Sequence, residues 1–176
     1  MKKTFLYLAI AGMTLISTTA NADSLSGKTD LQPADTVQND SSRLAPDFTL
    51  NDLQGKPLSL SSLRGKYVIL DFWGTWCPWC IKGIPQMKEY YNKYKGKFEI
   101  LSIDSHDTVE KWKEGVNKYD LPWLNVYNTQ DSGVLYAYGI EGFPTKIIVG
   151  PDGKIVKTVV GEDPSFYEYL DELFGK

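Results

Sequence analysis

Residues 67–80 have the sequence YVILDFWGTWCPWC, in which an apolar run leads into a pair of cysteines. The run Tyr67–Trp73 predicts a strand that is buried on both faces of a sheet. Cys77 and Cys80, the only cysteines of the chain, follow at the predicted start of a helix. The helix dipole and unpaired N–H groups stabilise a thiolate there, so it can attack a disulfide at neutral pH. A thiol three residues further on can resolve the mixed disulfide, and the stretch therefore predicts a redox centre.

This cysteine pair is better explained by chemistry than by stability. A disulfide between residues three apart closes a very short loop and removes little entropy from the unfolded chain. The sequence has no further cysteine for a second disulfide, and His106 is its only histidine, which is too few for a metal cluster. We expect no cofactor and no metal, and we expect His106 to be a solvated surface residue.

The first 22 residues have the features of a cleavable signal peptide. Lysines at positions 2 and 3 precede an apolar stretch over residues 5–16, and Ala20-Asn21-Ala22 fits an A-x-A cleavage site. These features predict an exported, periplasmic protein. The apolar stretch is short for a membrane span, but an uncleaved membrane anchor stays open as an alternative.

The rest of the chain predicts a polar linker followed by one domain. Residues 23–42 contain few large apolar groups and predict a flexible linker, whereas residues 43–176 can bury a core of their own. The formal net charge is −3 at pH 7, and no long run of Lys or Arg occurs. Because a nucleic-acid binder needs a basic surface to displace counterions, we exclude nucleic acid as a partner.

Strands and helices alternate around residues 67–80. The alternation predicts an α/β fold in which a central mixed sheet carries helices on both faces. A hairpin is expected within residues 48–60, and the turn residues 150–153 (GPDG) predict a second hairpin. The remaining predicted helices cover 80–95, 108–118, 131–138 and the segment after Asp163, and the remaining predicted strands cover 98–103, 123–127, 145–149 and 154–160.

Asp71 interrupts an otherwise apolar strand. A carboxylate buried there would be costly, so we expect its pKa to be raised. Such a group can accept the proton of Cys80 during resolution. The alternative is an inert Asp at a strand end that is bonded to the backbone.

Three tryptophans lie close to the cysteines. Trp73 belongs to the predicted strand and is expected in the core. Trp76 and Trp79 flank the thiols, and we expect them to form an apolar rim for a partner protein.

The chain resembles the thioredoxin superfamily, and within it the exported TlpA/ResA-like thiol-disulfide oxidoreductases. The resemblance rests on residues 45–48 (APDF), 71–80 (DFWGTWCPWC) and 142–145 (GFPT), and on the order of elements. It implies a thioredoxin fold over residues 43–176, with an N-terminal β-hairpin and an inserted helix–strand unit at Thr108–Tyr127.

The resemblance also implies residue roles. Cys77 would be the nucleophile and Cys80 the resolving thiol, with Pro144 as a cis-proline facing the disulfide. The backbone of Phe143 would then offer a strand edge to an extended substrate. Pro78 and Thr145 would complete the substrate-binding surface. The TlpA/ResA-like group often has Asn where Asp71 lies, and an acid three residues beyond the second cysteine, where this chain has Gly83.

These features predict an enzyme that reduces disulfides in exported proteins with electrons from a membrane thiol-disulfide donor. An oxidase that forms disulfides is the first alternative, since proline directly after the first cysteine resembles strongly oxidising relatives. A Cu(I) chaperone is a second alternative, because a C-x-x-C pair suits a soft metal. A peroxidase would need P-x-x-x-T-x-x-C, but Thr75 lies two residues before Cys77 rather than three.

Overall fold

A computed structural model describes residues 43–176 of the chain. Within this range seven strands form one mixed sheet in the order β2-β1-β5-β4-β3-β6-β7. The strands are β1 Thr49–Asp52, β2 Pro57–Ser59, β3 Tyr67–Trp73, β4 Phe98–Asp104, β5 Leu124–Tyr127, β6 Thr145–Val149 and β7 Ile155–Val160. The helices are α1 Pro78–Lys93, α2 Val109–Lys118, α3 Val134–Ala137 and α4 Pro164–Phe174, and a short 3-10 helix covers Leu60–Leu63.

Strand β3 lies in the middle of the sheet, as its apolar run predicts. It pairs in parallel with β4 and antiparallel with β6. Its side chains alternate between two buried clusters, so that Ile69 and Trp73 pack in one and Leu70 and Phe72 in the other. Because both faces of β3 are covered, the strand needs apolar residues at nearly every position.

The two predicted hairpins and the inserted unit are confirmed. Strands β1 and β2 pair antiparallel, as do β6 and β7. Helix α2 leads into β5, which pairs in parallel with β4 and antiparallel with β1. The inserted strand therefore joins the N-terminal hairpin to the central strands.

Two helix boundaries differ from the prediction. Helix α1 begins at Pro78 rather than Cys80, because Cys77 is its N-cap and a proline at the first position fits the helix. Helix α3 spans only Val134–Ala137, since Gly133 before it has a left-handed φ of 73° that interrupts the expected helix over 131–138.

The predicted signal peptide (residues 1–22) and linker (23–42) lie outside the described residues. Among the helices that the structure describes, none is both long and apolar enough to span a membrane.

Candidate active site

Cys77 and Cys80 form a disulfide at the start of α1. Cys77 Sγ accepts a hydrogen bond from Cys80 N at 3.1 Å, so the sulfur itself caps the helix. The side chains of Cys77 and Cys80 are only 3% and 6% exposed. A thiolate on Cys77 would face the helix N-terminus, where N–H groups and the helix dipole stabilise negative charge.

The loop before β6 lies beside the cysteine segment. The Phe143–Pro144 peptide bond is cis, as the resemblance implies. The Phe143 ring contacts the Trp76 ring edge-on, with 5.2 Å between the ring centroids. Thr145 is buried and its hydroxyl donates to Gly142 O at 2.7 Å, so its side chain holds the loop and does not line the surface.

Aromatic side chains surround the cysteines at the surface. Trp76 is 48% exposed and Trp79 57%, and Lys82 Nζ lies 4.8 Å from the Trp79 ring centroid. His106 is exposed as predicted, but it also contacts the rings of Trp76 and Phe143 at centroid distances of 6.1 and 5.7 Å. We call Trp76, Trp79, His106 and Phe143 the aromatic rim. Pro78, between the thiols, is likewise exposed.

Asp71 belongs to a row of polar side chains that crosses four strands. The row is formed by Lys146 on β6, Asp71 on β3, Ser102 on β4 and Asn125 on β5, which are neighbours in the sheet register. Ser102 Oγ donates to Asp71 Oδ2 at 3.1 Å and accepts from Trp123 Nε1 at 2.8 Å. Asp71 is therefore hydrogen-bonded, whereas the sequence predicts an isolated carboxylate.

Burial raises the pKa of the Asp71 carboxyl above its usual value, although Lys146 and the Ser102 hydroxyl act in the opposite direction. The structure therefore agrees with the raised pKa that the sequence predicts for Asp71. A carboxyl group with a raised pKa takes up a proton more readily than an ordinary aspartate, as a general base must.

A second carboxylate, which the sequence analysis missed, lies beside this row. Lys146 Nζ pairs with Glu162 Oε2 at 2.7 Å, with side-chain exposures of only 4% and 12%. Tyr167 donates its hydroxyl to Glu162 Oε1 at 2.7 Å. The Glu162 carboxylate also lies against Gly83 of α1. No local pattern marks Glu162, because it meets the other groups only after β6, β7 and α1 pack together.

Comparison with known proteins assigns this site to a class. The chain is 41% identical over 119 residues to the thiol-disulfide oxidoreductase ResA of Bacillus thuringiensis (strain Al Hakam), covering 67% of this chain and 68% of that protein. It is 38% identical over 130 residues to ResA of Bacillus subtilis (strain 168), covering 72% of each. With the Cys77–Cys80 disulfide, these relatives identify the chain as a thioredoxin-like thiol-disulfide oxidoreductase.

The fold and the family agree with this class. The thioredoxin domain of a thiol-disulfide oxidoreductase from Bacteroides vulgatus superimposes with a TM-score of 0.70 at 34% identity, covering 76% of this chain and 97% of that one. The model of the AhpC/TSA family matches residues 42–158. The chain therefore belongs to the AhpC/TSA family, and its fold is thioredoxin-like.

Proposed function

We propose that this oxidoreductase works as a reductase of disulfides in exported proteins, with Cys77 as the attacking thiol. The observation that supports the proposal best is the place of Cys77 at the N-cap of α1, within the aromatic rim. A thiolate at this position is stabilised by the helix, and the rim offers an apolar surface to a client protein.

The reaction transfers two electrons from the reduced cysteine pair to the client. The Cys77 thiolate attacks one sulfur of the client disulfide, so that the client S–S bond breaks and a Cys77–client disulfide forms. The first client sulfur leaves as a thiolate and takes up a proton from water. Cys80 then loses its proton and attacks Cys77 Sγ, which forms the Cys77–Cys80 disulfide and releases the second client thiolate.

Asp71 is the group that we assign to the proton of Cys80. It lies on β3, on the same face of the sheet as Ile69 and Trp73, which pack in one cluster with Cys77 and Cys80. Its raised pKa suits a base that becomes protonated as Cys80 turns nucleophilic. Ser102 holds the Asp71 carboxyl group by a hydrogen bond, and the Lys146–Glu162 ion pair lies close to it.

The residues between and around the cysteines favour reduction over oxidation. Neither Pro78 nor Trp79 carries a positive charge that would stabilise the thiolate beyond the effect of the helix. The Asp71 carboxyl also lies on the side of the sheet that α1 covers, where its negative charge opposes a thiolate, whereas the charge of Glu162 is offset by Lys146. A less stable thiolate gives a more reducing couple.

We assign the protein to the periplasm on the signal-peptide features of residues 1–22, with an uncleaved anchor as the alternative. A membrane thiol-disulfide donor would then return the Cys77–Cys80 disulfide to the dithiol. N-terminal sequencing of the exported protein should give Asp23 as the first residue. Recovery of the chain in the membrane fraction with Met1 retained would contradict cleavage.

Trapping of mixed disulfides tests the roles of the two cysteines. C80S should accumulate disulfide-linked clients through Cys77, because the resolving thiol is missing. C77S is the matched control and should accumulate none, because only Cys77 lies at the N-cap of α1, where the helix stabilises an attacking thiolate. Non-reducing gels after acid quenching show both. Equal trapping by the two variants would contradict the assignment.

A further inference from the structure

The segment that leads into Cys77 is held by the loop after β4. Asp107 accepts from Thr75 twice, with Oδ2 at 2.6 Å from Thr75 N and Oδ1 at 2.7 Å from Thr75 Oγ1. Ser105 adds two further bonds, since its O accepts from Trp76 Nε1 and its N donates to Trp73 O, both at 2.8 Å. Four hydrogen bonds therefore join this loop to residues 73–76.

Asp104, which ends β4 and begins this loop, is a carboxyl group without hydrogen-bond partners. It is fully buried opposite Trp73 in the sheet register, and neither of its oxygens has a partner within residues 43–176. An ionised carboxylate in such a place is costly, so the neutral acid is favoured. Burial, and then the neighbouring Asp107, raise the pKa of Asp104 to about 8.

We propose that Asp104 is a positioning residue for the reaction of Cys77, and that it acts through Asp107 and Thr75. At neutral pH Asp104 carries a proton, and Asp107 accepts both hydrogen bonds from Thr75. A neutral Asp104 adds no negative charge at this end of β4. The charge-assisted bonds to Thr75 then fix the approach of the chain to the N-cap cysteine.

Loss of this proton changes the site. The buried Asp104 carboxylate then repels the neighbouring, half-buried Asp107, and this repulsion weakens the hold of Asp107 on Thr75. The additional negative charge close to residues 73–76 also opposes formation of the Cys77 thiolate. As Asp104 becomes charged, Cys77 should therefore react more slowly than the rise in pH alone would predict.

The other charged groups around the pair do not supply a counter-ion to Asp104. On β5, Tyr127 lies opposite Asp104 and donates its hydroxyl to Asp107 O at 2.8 Å. Strand β3 presents the uncharged Trp73. Helix α2 brings Glu110 toward Tyr127, while Lys111 and Glu114 line a cavity beside Asp107, and the loop itself carries the exposed His106.

Titration of the reduced protein tests the proposal. The variant is D104N, which keeps the shape of the side chain and cannot ionise, and the control is D131N in an exposed loop. Thiolate absorbance and the rate of alkylation by iodoacetamide are followed from about pH 5 to about pH 10. In wild type and D131N, the titration of Cys77 should be broadened by its coupling to Asp104. In D104N, Cys77 should ionise in a single step. At pH 8, D104N should be alkylated about threefold faster, the change produced by half a pKa unit.

A direct measurement makes the test independent of folding defects in the variant and of the proposed reductase role. The carbon-13 shift of the Asp104 carboxyl in the wild-type protein should titrate near pH 8. A midpoint near the ordinary value of about 4 would overturn the proposal, as would identical thiolate titrations for wild type and D104N. If both titrations come out as expected but the protein fails to reduce client disulfides, only the proposed reductase function is contradicted.

Discussion

The carboxylate of Glu162 occupies the space that a side chain at Gly83 would need. A Cβ atom at position 83 would overlap both carboxylate oxygens of Glu162 and its Cδ. Gly83 lies on the buried face of α1, one turn after Cys80. The missing side chain therefore allows a second carboxylate, already paired with Lys146, to lie directly beneath the second turn of the reactive helix.

This contact predicts that G83A destabilises the protein, although alanine favours a helix over glycine by about 1 kcal/mol. The new methyl group must displace the Glu162 carboxylate from Lys146 and Tyr167. Overpacking of this kind typically costs about 1–3 kcal/mol, so the net change in the free energy of unfolding should be a loss of up to about 2 kcal/mol. A denaturant melt measures it.

A double-mutant cycle separates the contact from the general effect of alanine. In an E162A background the obstacle is absent, so G83A should be neutral or stabilising there. The same loss in both backgrounds would show that Glu162 does not limit the space at position 83.

Asp71 should control the resolving step. D71N removes the proton acceptor that we assign to Cys80, and loss of general base catalysis typically slows a step about 10²-fold or more. Reduced Cys77 should also ionise at a lower pH, because a nearby negative charge is gone. Stopped-flow decay of a mixed disulfide and thiolate absorbance measure the two effects. Unchanged values of both would mean that Asp71 is only structural.

Asp71 should also make stability depend on pH in a defined direction. The pKa of Asp71 in the folded protein is raised above its ordinary value, so its contribution to stability is fully present below about pH 4 and decreases as the pH rises. D71N lacks this pH-dependent contribution to stability. The free energy of unfolding of D71N should therefore match wild type near pH 4 and equal or exceed it at pH 7. A D71N variant that loses stability relative to wild type as the pH rises would contradict the sign.

Lys146 should be needed for the stability of the folded protein. K146M leaves the carboxylates of Asp71 and Glu162 buried without their cation, and breaking a buried ion pair typically costs about 3–5 kcal/mol. Adding E162Q should restore part of that loss, since one of the two charges is removed. If K146M/E162Q were no more stable than K146M, the pair would not be coupled.

The two exposed tryptophans should have separable roles. Trp79 is more exposed and contacts Lys82, whereas Trp76 is hydrogen-bonded to Ser105 O and packs on Phe143. W79A should lower kcat/KM for a protein disulfide about fivefold or more, the usual effect of an important interface residue, and leave reduction of a small aromatic disulfide unchanged. W76A should impair both reactions, because it also releases the segment before Cys77. Equal losses on both substrates for W79A would contradict a role in client binding.

The sequence was sufficient for the fold because its signals are local. The apolar run of β3, the turn at residues 150–153 and the proline after Asp163 each specify one element, and the C-x-x-C pair indicates that the reactive helix starts close to the cysteines. The boundary of α1 was misplaced because the cap is a cysteine, which is an unusual N-cap residue.

The surroundings of Asp71 could not be predicted in the same way. Ser102, Lys146 and Glu162 reach it from β4, β6 and the segment after β7, so their proximity depends on sheet register and on the packing of α1. Asp104 was also overlooked, since an acid at the end of a strand is ordinary in sequence and only its complete burial makes it notable.

The reduction potential of the Cys77–Cys80 couple tests the proposed reductase most directly. Equilibration of the purified protein with glutathione or dithiothreitol buffers, followed by thiol labelling, gives this value. Because the linker between the cysteines is uncharged and the Asp71 carboxyl lies on the side of the sheet that α1 covers, we predict a potential near about −270 mV, as in thioredoxin. A value near about −120 mV, as in a strong oxidant, would contradict the proposal and identify the protein as one that forms disulfides.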